Sequence, residues 1–155
     1  MKTINKIIAI DPGPTQSAYV VWDGKEISEL SIIDNEVFVL ALGAWPGEPF
    51  PMVIEQIRSY GMAVGMTIFD TVFWSGRFYE AWKGDCYLIP RLQVKQHICH
   101  DSRANDSNIR QALIDRFEPA LMPRQRPKSV LKGLKKDLWS AAAIAITYWD
   151  QSEER

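Results

Sequence analysis

Three acidic residues stand next to apolar segments, where a carboxylate is costly to bury. Asp11 follows the apolar run at 7–10, Glu55 follows the run at 52–54, and Asp137 begins a segment rich in alanine. A buried carboxylate needs a cation or strong hydrogen-bond donors, and carboxylate oxygens are ligands that Mg²⁺ prefers. Ions held in this way can activate a water and stabilise a leaving oxygen on a phosphodiester. The three residues therefore predict a centre for Mg²⁺ or Mn²⁺, with one or two ions bound.

Each of these residues also has an ordinary structural role open to it. Asp11 precedes a Pro-Gly pair and is of a type that begins turns. Glu55 could pair with Arg58, and Asp137 would gain from the dipole at the start of a helix. The metal interpretation depends on the three residues together, in this order along the chain.

A zinc site is a weaker alternative. His97, Cys99 and His100 are close in sequence, but no second pair of ligands accompanies them at the spacing of a zinc site. Cys86 is the other cysteine, and it forms no C-x-x-C motif. This cysteine usage fits a reducing compartment. The apolar run near the start is too short for the core of a signal peptide, and no stretch reaches membrane-spanning length, so we expect a cytoplasmic protein without a membrane partner.

The net charge of -1 hides an uneven distribution. Residues 1–90 carry 6 basic and 11 acidic residues, whereas residues 91–136 carry 11 basic and 4 acidic ones. Such an asymmetry is expected where one region holds metal ions and a neighbouring surface receives a polyanion, although a solvated surface also explains a run of charge. The segment 122–136 has no acid and is predicted to be a mobile loop that contacts phosphate through Arg124, Arg126, Lys128, Lys132, Lys135 and Lys136.

Four further residues are placed by sequence beside the predicted carboxylates. Lys95 and Arg103 follow the fifth predicted strand and are candidates for phosphate contacts, with surface solvation as the alternative. Arg58 and Tyr60 follow the strand that ends near Glu55, so we expect them to position or wedge a nucleic acid. Tyr60 could equally belong to the core.

The order of elements predicts one α/β domain over residues 1–155. Its mixed five-stranded sheet has three antiparallel strands and then two parallel ones, flanked by helices. The hairpin between the second and third strands is marked by Asp23-Gly24. Residues 151–155 are predicted to be a polar tail. The predicted strands are 7–11, 17–22, 26–33, 52–55 and 86–89, and the predicted helices are 36–44, 61–82, 107–117 with Ser107 as N-cap, and 136–150.

The helix predicted at 61–82 carries two apolar stripes. One contains Trp74, Phe78 and Trp82, and the other includes Phe69 and Phe73. A helix that is apolar on two faces needs two partners. One face would pack on the sheet, and the other predicts a homodimer contact; a single wide core face with a few exposed aromatics is the alternative.

Four motifs are spread along the chain. They are Ile-Ala-Ile-Asp11-Pro-Gly, Val-Ile-Glu55-Gln, Pro-Arg-Leu-Gln-Val-Lys95-Gln with Ser-Arg103-Ala downstream, and Asp137-Leu-Trp-Ser140-Ala-Ala. Together they resemble the motifs of the RuvC-type Holliday-junction resolvases. The resemblance covers about residues 6 to 148, nearly the whole chain.

The resemblance implies an RNase H-like fold and a homodimer that nicks two opposed strands of a four-way DNA junction. It also implies that Mg²⁺ or Mn²⁺ activates a water, leaving a 5'-phosphate and a 3'-hydroxyl. Asp11 and Glu55 match the first two family carboxylates, and Lys95 matches a basic residue near the scissile backbone. A short domain of this kind is expected in a bacterial cell or a phage genome.

The chain departs from the family pattern at three positions. Ser140 stands where the final helix usually has a second acid, so Asp137 lacks its usual partner and Ser140 would reach a metal only through water. Arg58 stands where some members have an aromatic wedge. Asp106 stands where a basic residue often follows the Arg-Ala pair. Three other functions remain open: a RuvC-like ribonuclease acting on structured RNA, a junction-binding module without catalysis, and an actin-like phosphate-loop domain.

Overall fold

The computed structural model describes residues 3–118 and 129–155. Strands β1 (Ile7–Asp11), β2 (Gln16–Trp22) and β3 (Ile27–Asp34) come first and are followed by helix α1 (Asn35–Gly43). Strand β4 (Met52–Gln56), helix α2 (Met66–Ala81) and strand β5 (Cys86–Pro90) follow. The last elements are helices α3 (Arg91–Cys99), α4 (Asp106–Phe117) and α5 (Leu138–Glu153).

The five strands form one mixed sheet in the order β3-β2-β1-β4-β5. β1 pairs antiparallel with β2, and β2 pairs antiparallel with β3, whereas β4 lies parallel to both β1 and β5. The predicted α/β fold, with three antiparallel strands and then two parallel ones, is confirmed.

The sheet is covered on both faces, which explains why β1 is apolar throughout. Ile7 and Ala9 of β1 pack with α5 on one face, while Ile8 and Ile10 pack with the aromatic core beneath α1 and α2 on the other. Alternate residues of a strand point to opposite faces, so a strand buried on both sides reads as a continuous apolar run. The many alanines of α5 are buried, as is expected of a helix lying close to the sheet.

Helix α3 was not predicted, and two predicted helix starts were wrong. Tyr60 and Gly61 have positive φ angles, so the chain turns there and α2 begins only at Met66. Helix α4 is capped by Asn105, not by Ser107: the Asn105 side chain accepts from the backbone N–H of Asn108, and the Asn108 side chain accepts from that of Asn105.

The segment predicted as a mobile basic loop is only partly described. Residues 122–128 lie outside the described residues. From 129 onwards the chain forms turns, and Leu131 is buried in the core, so this part packs on the domain. At the other end, α5 continues to Glu153 and includes the first three residues of the predicted polar tail. No helix in the two described stretches is both long enough and apolar enough to cross a membrane.

Candidate active site

Asp11 and Glu55 meet at one edge of the sheet. β1 and β4 are parallel neighbours, and Ile10 is paired with Ile54, so the next residue of each strand is one of the two acids. Glu55 is 6% exposed, and Asp11 at the end of β1 is partly exposed. Because the carboxyl ends of parallel strands face the same way, this pairing was predictable once the two strands were recognised.

The turn after Asp11 is held by two buried polar residues. The backbone N–H of Gly13 donates to Ser17 Oγ at 3.1 Å, Ser17 Oγ donates to Asn35 Oδ1 at 2.6 Å, and Asn35 Nδ2 donates to Gly13 O at 2.8 Å. A Cβ on Gly13 would lie 2.3 Å from the carbonyl oxygen of Gln16, so no side chain fits there. This network fixes the direction in which the chain leaves Asp11.

Helix α5 contributes Asp137 and Ser140 to the same region. Asp137 stands at the N-cap position, is exposed, and makes no capping hydrogen bond with its side chain. Ser140, in the first turn, lies close enough to Asp11 to lower the pKa of that carboxyl. The position of Asp137 at the start of α5 is also the one in which it would gain from the helix dipole, so this alternative role stays open.

The pKa of Asp11 is shifted by burial and by the charged groups around it. Its pKa is raised from 3.8 to about 8, first by burial and then by the neighbouring carboxylates of Glu55 and Asp137, against smaller lowering effects of Arg91 and Ser140. Burial also raises the pKa of Glu55, although Arg91 and Lys95 act in the opposite direction. Two acids that resist ionisation beside a third acid form a region that would accept a cation.

Two basic residues on one face of α3 approach Glu55. Arg91 Nη1 lies 3.5 Å from Glu55 Oε2, and Arg91 also donates through Nη2 to Asp106 Oδ1. Lys95 is one helical turn further along α3, and its charge lowers the pKa of Glu55. Lys95 therefore lies near Glu55, and its contact with a phosphate stays a prediction.

The donor set suits a hard divalent cation, since Asp11, Glu55, Asp137 and Ser140 present only oxygens. In residues 3–118 and 129–155, no three Asp, Glu, His or Cys side chains are close enough to hold a metal ion as they are arranged. Like-charged carboxylates repel one another, and Arg91 attracts Glu55, which together oppose a tight cluster. The chemistry of the donors fits Mg²⁺ or Mn²⁺, and side-chain movements would be needed to bring three acids onto one ion.

The predicted zinc alternative has no support in the arrangement of its residues. His97 Nε2 lies 2.8 Å from Asp150 Oδ2, in a contact that also includes Arg116, while His100 is exposed at the end of α3. His97 thus has a structural partner on α5.

The other predicted DNA-contacting residues lie on the surface. Arg58 is exposed and donates to Gln56 Oε1 at 2.9 and 2.7 Å, Tyr60 is 57% exposed, and Arg103 is exposed. Tyr60 is therefore not a core residue. The basic residues Lys132, Lys135 and Lys136 are exposed, whereas Arg124, Arg126 and Lys128 lie outside the described residues.

Sequence reasoning missed Arg91 and set Asp106 aside as a loop residue. One signal was available for Arg91. β5 is the parallel neighbour of β4, with Pro90 paired to Gln56, so the residue just after β5 must lie near Glu55. Asp106 carried no such signal, because its position depends on how α4 packs against α3.

No protein-family model and no curated protein matches this chain. Solved structures do match it. RuvC of Thermus thermophilus superposes with a TM-score of 0.63 at 15% identity, over 96% of this chain and 96% of that one. T. thermophilus RuvC in complex with a Holliday junction substrate gives a TM-score of 0.60 at 16% identity, over 96% and 95% of the two chains. The chain therefore has the fold of RuvC, an RNase H-like α/β fold, as its motifs predicted.

Proposed function

We propose that this chain is a metal-dependent endonuclease that resolves four-way and related branched DNA junctions by paired, symmetric nicks. The observation that carries the proposal is that Asp11 and Glu55 end neighbouring parallel strands of a RuvC-like sheet, where burial, Glu55 and the nearby Asp137 raise the pKa of Asp11. Three acids on a surface that also presents Lys95 are suited to a cation and a phosphodiester together.

Under this proposal, some of the residues would bind the metal ion and others would bind the DNA. Asp11, Glu55 and Asp137 would hold Mg²⁺ or Mn²⁺, which when bound supplies Lewis acidity and a more acidic water. Ser140 lies near Asp11 and favours the ionised form of that carboxyl. Lys95 would contact the backbone near the cleaved bond, and Arg58, Tyr60, Arg103 and the exposed lysines before α5 would bind the arms of the junction.

The direct test is cleavage of a synthetic four-way junction by the full chain in Mg²⁺ or Mn²⁺. We expect paired nicks with 5'-phosphate and 3'-hydroxyl ends, and at least a hundredfold loss of rate in Asp11→Asn. Duplex DNA, single-stranded DNA and structured RNA serve as comparison substrates. Equal cutting of plain duplex would contradict the proposal, and cutting of RNA without DNA junctions would identify a ribonuclease instead.

A second candidate is a junction-binding module without catalysis. It is favoured by Ser140, which stands near Asp11 at the position where the resemblance leads one to expect an acid, and by the absence of a ready three-acid cluster in the described residues. Tight junction binding without nicking in either metal would establish this function.

A homodimer is part of the proposal, because two opposed strands need two active sites. Phe78 and Trp82 of α2 are buried on the sheet, while the other stripe of the same helix is exposed, at 60% for Phe69 and 62% for Phe73. An exposed apolar stripe on a helix is suited to a second copy.

A further inference from the structure

The side chain of Arg91 lies between Glu55, which is a proposed metal ligand, and Asp106, which is not. It is the first residue of α3, and its side chain remains 34% exposed while touching the nearly buried carboxylate of Glu55. Nη1 lies 3.5 Å from Glu55 Oε2, which is a long contact, whereas Nη2 donates closely to Asp106 Oδ1. The guanidinium therefore lies between two carboxylates and can keep its contact with Asp106 when it leaves Glu55.

Asp106 is well placed to serve as this anchor. It stands in the first turn of α4, but the helix is already capped by the reciprocal bonds of Asn105 and Asn108, so the Asp106 carboxylate is not used as a cap. Its side chain is 76% exposed. An exposed pair contributes little to stability by itself, which leaves the orientation of Arg91 as its main consequence.

The carboxylate of Glu55 cannot bind Arg91 and a divalent ion equally strongly at the same time. A carboxylate that coordinates a metal loses much of its attraction for a neighbouring cation, and a guanidinium beside the site raises the free energy of an incoming ion. Since Asp106 holds the other side of the guanidinium, Arg91 stays at the site when it releases Glu55. Its freed N–H donors then lie next to the acids, where a phosphodiester must approach.

We propose that Arg91, positioned by Asp106, competes with the divalent ion for Glu55 and then donates to the phosphodiester that is being cut. Arginine is suited to this role, because its planar fork can bond two phosphate oxygens while a third donor keeps its anchor. This inference rests on the proposed nuclease function. It adds a phosphate-contacting residue and a positioning residue that neither the acid motif nor the basic stretch at 122–136 includes.

The test measures Mn²⁺ binding and cleavage separately. Calorimetric titration of the full chain with Mn²⁺, without DNA, should give about threefold to tenfold tighter binding in Arg91→Met than in wild type, because a competing cation has been removed. Single-turnover cleavage of the junction by the same variant should fall about a hundredfold, as for loss of one charged donor to the transition state. Arg155→Met, at the far end of α5, is the matched control and should leave both quantities unchanged.

Two further variants separate positioning from charge. Asp106→Asn keeps Arg91 but loosens its anchor, so we expect about tenfold slower cleavage with no tightening of Mn²⁺ binding. In the double variant with Arg91→Met, cleavage should be no slower than in Arg91→Met alone, because the anchor has nothing left to hold. Independent, additive losses would overturn the role given to Asp106.

The outcomes also distinguish this inference from the proposed function. Unchanged Mn²⁺ affinity in Arg91→Met, or cleavage within twofold of wild type, would overturn the inference while leaving the nuclease intact. If wild type binds Mn²⁺ but cuts no junction, the proposed function and the phosphate contact both fail. Tighter Mn²⁺ binding in Arg91→Met would then support the competition at Glu55 alone.

Discussion

At the scale of single residues, the raised pKa of Asp11 ties stability to pH. The folded pKa of about 8 lies above the unfolded value of 3.8, so the protonated form is favoured by folding. Below pH 3.8, Asp11 makes its full contribution to the free energy of unfolding of the metal-free protein. This contribution is lost as the pH rises from 3.8 to about 8, because the unfolded state ionises first. Above about pH 8 the free energy of unfolding does not change further through Asp11.

Asp11→Asn should therefore stabilise the metal-free protein near pH 8, by on the order of 2 kcal/mol, and have little effect near pH 3.5. The measurement is urea denaturation in EDTA at both pH values. Added Mg²⁺ should raise the Tm of wild type and not that of the variant. Asp115→Asn, on the exposed side of α4, is the control. A variant less stable than wild type at pH 8 would contradict the assignment of Asp11 as a strained acid.

The residues of the site differ in how far sequence could locate them. Asp11 and Glu55 each end an apolar strand, and parallel pairing of those strands places them together. The approach of Ser140 to Asp11 depends on the rotation of α5 about its axis, which no local pattern gives. The contact of Arg91 with Asp106 requires the packing of two helices that the chain joins through a loop. Local periodicity therefore located the acids and not the residues that surround them.

At the scale of elements, the strands were predicted to within about a residue. For β1, β2 and β4 the reason is burial on both faces, which leaves a nearly continuous apolar run, whereas β3 and β5 are more exposed. Helix α3 was missed for the opposite reason: Val94 is its one fully buried residue, so it has almost no apolar periodicity. It is held by side chains at its end. Asp150 of α5 contacts His97 of α3 at 2.8 Å and Arg116 of α4 at 2.6 Å, and so joins three helices.

Asp150→Asn should lower the free energy of unfolding at pH 7 by about 1 kcal/mol, since the group is partly exposed and the pair is screened. Hydrogen bonds from Arg116 and His97 hold the pKa of Asp150 below 3.8. Its stabilisation is therefore present above pH 3.8 and is lost as pH falls through the lower folded pKa. Denaturant titrations at pH 7 and pH 2.5 should show the difference between variant and wild type shrinking at the lower pH. A difference that is equal at both pH values would contradict an ionic role.

At the scale of the whole molecule, the basic part of the sequence, residues 91–136, ends in exposed lysines just before Asp137 at the start of α5. Lys135 and Lys136 are both exposed and adjoin Asp137. Replacing both with glutamine should weaken junction binding and reduce the slope of log K against log salt by about 1.8, as two phosphate contacts are removed. Lys25→Gln, in the β2–β3 turn, should leave the slope unchanged. Fluorescence anisotropy over a salt series measures both slopes, and an unaltered slope in the double variant would assign these lysines to solvation.

The proposed assembly of two such domains would depend on α2, whose outer stripe is exposed at Phe69 and Phe73. Phe69→Glu together with Phe73→Glu should convert the predicted homodimer to a monomer, because each carboxylate would be desolvated in an apolar interface. Light scattering after gel filtration measures the mass, and Lys25→Gln and Asp115→Lys, which each alter surface charge elsewhere, should remain dimeric. Monomers of the double variant should nick one strand of a junction at a time, so that single nicks accumulate and paired resolution is lost. A wild-type protein that is monomeric at micromolar concentration, yet makes paired nicks, would show that the junction itself brings the two copies together.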